Sequence, residues 1–111
     1  MNAQETIDFL LQLPKETEYF SNDGNILRVI PKTAEYPKLR SMQKFVGGRI
    51  ERVSLTKGDD LIIYEEGLYD DTPPNEVATN LWHDDIGRGV VSEYNLPPLF
   101  GNVIYLQGGL R

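Results

Sequence analysis

The sequence predicts an α+β fold: one small domain over residues 1–111, with a mostly antiparallel sheet packed against two or three short helices. Three observations lead there. A chain of 111 residues with 40% hydrophobic and 10% aromatic content has the size and composition of a single globular domain with one modest core. Several short apolar runs are bounded by Gly, Asp, Asn and Pro, as strands are. Helical patterns lie between them without a strict strand–helix–strand period, which argues against a doubly wound parallel sheet.

The elements follow in order. Asn2 and Glu5 have the spacing of a capping pair, and Ile7, Phe9, Leu10, Leu11 and Leu13 come after them, ahead of Pro14. This predicts a helix over about 3–13, an accessory amino-terminal element spanning 1–14. ETEYF and ILRVIP flank SNDGN, where Asp23-Gly24 suits the positive φ of a hairpin turn. YPKLRSMQKFVGG sets Leu39, Met42 and Val46 on one helical face, with Gly47 placed to end the helix in a left-handed conformation. RIERVSL and LIIYEE read as two strands joined by TKGDD. The first departs from strict alternation, because Ile50 and Val53 are both apolar.

TPPNEVATNLWHDD predicts a helix capped by Thr72, with Pro73 or Pro74 in its first turn and Val77, Leu81 and Trp82 turned inward. VVSEYNLPPLFG then reads as an ordered apolar loop, and FGNVIYLQG as a last strand ending at Gly108-Gly109.

Net charge is −6, from 17 acidic and 11 basic residues. That sign opposes nucleic-acid binding, which draws its affinity from Lys and Arg. The chain has no cysteine, which excludes disulfides, thiolate metal sites and a cysteine nucleophile. MNAQETIDFLLQLPKE carries no basic leader, and its apolar part is too short for a signal peptide or a membrane span. A soluble, cytoplasmic protein is expected, with no membrane partner.

Three segments have a combined order that resembles a known family. SMQKFVGGRIERV (41–53) carries VGG-x-IE, EEGLYDDTPPNEVAT (65–79) leads from Glu-Gly into PPN-x-x-AT, and FGNVIYLQG (100–108) closes with G-x-x-I. The pattern is similar to the family called domain of unknown function thirty-eight forty-six, short proteins carried largely by bacteriophages and by bacteria harbouring mobile elements. The resemblance covers a core of about 26–108 and leaves the first helix outside. It departs from the family in the longer segment ending SEYNLPP. It implies a phage or mobile-element context and assigns no activity or catalytic residue.

Several residues qualify as site candidates. His83 beside Asp84 and Asp85 suggests a base or metal ligand, yet consecutive residues at a helix end point apart, and no second histidine is present. The expected role is a solvated helix end, with His83 near the negative pole of the dipole. Asp59, Asp60, Glu65, Glu66, Asp70 and Asp71 invite a hard cation, but they lack calcium-loop spacing. No catalytic residue, metal ligand or cofactor is therefore assigned.

Gly47, Gly48 and Arg49, with Asn75 and Thr79 one helical turn apart, form a candidate site for a small nucleotide-like anion. Asn75 has a competing role as a helix cap, and Gly108-Gly109 lacks any phosphate-loop signature. Tyr94, Leu96, Pro97, Pro98 and Phe100 form a candidate protein interface, since Tyr buries area while keeping a polar handle. The reading favoured by these residues is a non-enzymatic accessory protein that binds a host or viral protein or self-associates as a homodimer. The alternative is sequestration of a small anionic ligand, and a metal-dependent enzyme has least support.

Overall fold

The structure, a computed structural model, describes residues 5, 7–9, 17–20, 24–67 and 72–109. Five strands form one sheet: β1 (Thr17–Phe20), β2 (Ile26–Ile30), β3 (Ile50–Ser54), β4 (Asp60–Tyr64) and β5 (Val103–Leu106). Three helices with defined bounds accompany them: α1 (Leu39–Val46), α2 (Glu76–Ile86) and α3 (Arg88–Tyr94). Residues 5 and 7–9 are also helical. The rest of the expected 3–13 helix, including its Asn2 cap, lies outside the described residues.

The spatial order is β1-β2-β5-β4-β3. All pairings are antiparallel except β2 with β5, so the fold is α+β with a mostly antiparallel sheet. The last strand in sequence thus enters the middle of the sheet, and all four of its residues are buried.

Both sheet faces are covered. One face brings Leu27, Val29, Leu61, Val103 and Tyr105 against Ala78 and Leu81 of α2, together with Ile7. The other brings Ile30, Ile62, Ile104 and Leu106 against Met42 and Val46 of α1. This two-sided burial explains the broken alternation in β3. Ile50 packs with the α1 cluster and Val53 with the α2 cluster, as their odd spacing requires on a pleated strand. Ile7 is buried in the α2-side core, so the amino-terminal segment contributes to that core.

The turns follow the sequence in part. Gly24 has φ +88° and Gly47 φ +104°, and the Gly47 and Gly48 amides both donate to the Gln43 carbonyl. Asp23 lies outside the described residues. Met42 and Val46 are buried as expected, but Leu39, the first residue of α1, is exposed.

Three expectations are corrected. The second long helix begins at Glu76 and is capped by Asn75, whose side chain accepts from the Ala78 amide. Thr72 is therefore not its cap, and Pro73 and Pro74 precede its first turn. Pro74 instead forms a bridge with Phe100. Part of the expected apolar loop, residues 90–94, is helical as the end of α3, because Gly87 at φ +96° breaks α2 and a new turn starts immediately. The final strand is shorter than 100–108. Gly101, at φ +74°, donates to the Pro73 carbonyl, and Asn102 bonds the Ile26 amide and the Phe45 carbonyl, so residues 100–102 fasten the sheet end to its neighbours.

Candidate functional site

The anion candidates are separated by their surroundings. Asn75 is wholly buried. Its oxygen accepts from the Ala78 amide at 3.1 Å, and its amide donates to Gly101 at 2.8 Å and Ile26 at 3.2 Å. The capping role is what the structure shows. The Thr79 hydroxyl meets the Leu99 backbone, accepting from its amide at 2.9 Å. These polar atoms are engaged in holding the 99–101 segment over α2.

Gly47 ends α1, whereas Gly48 lies under the Tyr64 ring. A Cβ on Gly48 would come within 2.7 Å of Tyr64 Cε1, so glycine is needed there for packing. Arg49 is exposed next to it, and its carbonyl accepts from the Glu65 amide at 2.8 Å.

At Gly108-Gly109, the Gly108 amide donates to Asp59 Oδ1 at 2.8 Å. The same carboxylate accepts from the buried Tyr105 hydroxyl and lies 3.6 Å from Lys57 Nζ. Burial, then the Asp59 hydrogen bond and charge, push the Tyr105 hydroxyl well above the ordinary tyrosine range. The group ties the β3–β4 hairpin to the carboxyl-terminal segment.

His83 is buried, contrary to the solvated end expected of it. Its Nε2 lies 3.3 Å from the Pro97 carbonyl, and its ring stacks at a tilt on Trp82. Asp84 pairs with Arg88 across one turn. Asp85 accepts from the Thr56 amide and hydroxyl, linking α2 to the hairpin turn. Among the described residues, no group of three or more His, Asp or Glu converges as metal ligands would; Asp70 and Asp71 lie outside them.

A different set of residues does converge. A cleft of about 320 Å³ opens on the α2 side of the sheet, between β3, the end of β4 and the 97–100 segment. Val53, Ile63, Tyr64 and Trp82 line it with Pro97, Pro98, Leu99 and Phe100, and Glu51 and Glu65 are its charged groups. This volume is at the low end of the ~300–1,000 Å³ typical of ligand pockets. Three of the five interface candidates, Pro97, Pro98 and Phe100, therefore meet here. Tyr94, 68% exposed at the end of α3, and Leu96 do not line the cleft.

The cleft borders β3, whose outer edge pairs with no strand among the described residues. The Leu55 amide bonds the Asp59 carbonyl and the Glu65 amide bonds the Arg49 carbonyl. Both contacts keep the β3–β4 register, in which Ile50 faces Tyr64 and Ser54 faces Asp60. In an antiparallel ladder bonded pairs occur at every second residue. The odd-numbered residues of β3 thus bond β4, and Ile50, Arg52 and Ser54 aim their N–H and C=O groups outward.

Of the cleft residues, Glu51 has no distinguishing sequence signal, and Glu65 stood out only as an acid among acids. Their common position depends on a hairpin register and on the distant 97–100 segment, which local pattern does not encode.

A family model described as Domain of unknown function (DUF3846) matches residues 24–107, and the chain belongs to that family. β1 and Ile7 lie outside the matched span yet complete the sheet and core. No curated protein matches the chain, and no solved structure does. No helix among the described residues is long and apolar enough to cross a membrane.

Proposed function

We propose that this family member is a non-enzymatic accessory protein of a phage or mobile element, acting by holding an extended segment of a host or viral protein. The observation that carries this reading is the open edge of β3 beside the cleft. An extended chain laid along β3 would find the outward backbone groups of Ile50, Arg52 and Ser54 and gain main-chain hydrogen bonds. Its side chains on the α2 side would enter the cleft among Val53, Trp82 and Pro98. Edge strands left open in this way are templates for strand addition. Occupying the partner's segment is the whole mechanism, and no bond is made or broken.

The test is selection of a random extended-peptide library on the purified protein, repeated with two variants. Arg52→Pro removes one outward N–H while leaving the β4 pairing intact, since proline is tolerated at a strand edge. Pro98→Glu puts charge on the exposed cleft rim. Both should abolish capture of the enriched peptides. Enriched peptides retained equally by both variants would overturn the reading, as would a library that yields none.

A further inference from the structure

β3 presents adjacent opposite charges on opposite faces. Glu51 pairs in register with Ile63, whose face is the α2 side, and Arg52 pairs with Ile62, on the α1 side. Both residues are exposed, and neither has an ion-pair partner among the described residues. Glu65 lies on the Glu51 face two residues beyond Ile63, also lining the cleft, so the α2 side of this edge carries two carboxylates. The cleft has no basic group among its lining residues.

Building on the peptide-binding reading above, we infer that the partner segment adds to β3 as an antiparallel strand carrying an acidic residue followed directly by a basic one. In antiparallel register the residue opposite Arg52 precedes the residue opposite Glu51 in the partner chain. Successive side chains alternate faces. The acidic residue therefore meets Arg52 on the α1 side, and the basic residue reaches the cleft beside Glu51, towards Trp82. A guanidinium suits that place best, because it stacks on aromatic faces and bonds carboxylates in a fork.

A second copy of this chain fits the edge less well. Edge-to-edge antiparallel pairing about a two-fold axis keeps each face on its own side. Registers centred on residue 52 or residue 51 would then oppose Arg52 to Arg52 or Glu51 to Glu51, and like charges directly opposite are destabilising.

The experiment uses blocked nine-residue peptides of alternating Thr and Val with a central Glu-Arg, Arg-Glu or uncharged pair. Binding is followed by the amide shifts of Ile50, Arg52 and Ser54 at low and high salt. Glu-Arg should bind about tenfold tighter than the uncharged peptide, from two opposite-charge cross-strand pairs, and this advantage should shrink as salt rises. The charge-swapped double variant E51R/R52E should prefer Arg-Glu, with its fold checked by thermal unfolding. Peptides that shift these amides without regard to charge or order would overturn this inference and leave the peptide-binding reading standing. Failure of every peptide to shift them would overturn both. Concentration-dependent self-association abolished by Arg52→Pro would overturn it in favour of a second copy.

Discussion

Replacing Asn75 tests the central packing argument most directly, because one buried side chain serves three backbone groups. In Asn75→Ala, the Ala78 amide loses its cap, at about 0.5–2 kcal/mol. The Gly101 and Ile26 carbonyls each lose a donor, at about 1 kcal/mol apiece. The total is about 2.5–4 kcal/mol, set against the ~5–15 kcal/mol that hold a domain of ordinary stability. The melting temperature should fall by about 10–15 °C, at roughly 4 °C per kcal/mol for a chain of this size. Urea unfolding followed by circular dichroism measures the change, provided the slope with denaturant is unchanged. Asn75→Asp separates the roles. Aspartate caps helices as well as asparagine does, but its carboxylate cannot donate to the two carbonyls. It should therefore destabilise at least as much as alanine. If Asn75→Asp leaves the stability within about 1 kcal/mol of the parent, this account fails, since capping alone would then explain the residue.

Two further predictions rest on single contacts. Gly48→Ala should cost about 1–3 kcal/mol through overpacking against Tyr64. In combination with Tyr64→Leu it should cost clearly less than the sum of the two changes, and strict additivity in urea unfolding would rule out the contact. Tyr105→Phe should cost about 1–3 kcal/mol, by removing one donor from buried Asp59. In the parent protein, the raised Tyr105 ionisation means that the unfolded chain loses this proton near pH 10 while the folded chain keeps it. The group's stabilising effect is complete below about pH 10 and falls by about 1.4 kcal/mol per pH unit above it. Urea midpoints should decline more steeply between about pH 10 and 11 in the parent than in Tyr105→Phe, and equal slopes would refute the assignment.

The features legible in the chain alone were local ones. The Gly24 and Gly47 conformations, the capping capacity of Asn75 and the strand character of IERVS, LIIY and VIYL depend on backbone sterics and side-chain periodicity, which act over a few residues. Membership of the family was legible as well, from short segments read in order. Long-range packing set everything else. Only the sheet order put VIYL at the centre and left β3 at an edge. Only burial of both faces made sense of Ile50 and Val53, and only packing against Pro97 drew His83 inward from a helix end whose polar residues suggested solvent. The cleft joins residues 51–53, 63–65, 82 and 97–100, and no periodicity links them. Their meeting is set by the β3–β4 register and by the bonds from Asn75 and Thr79 that hold the 99–101 segment over α2. Such contacts form between segments far apart in the chain, so their free energy leaves no trace in the local pattern of either segment.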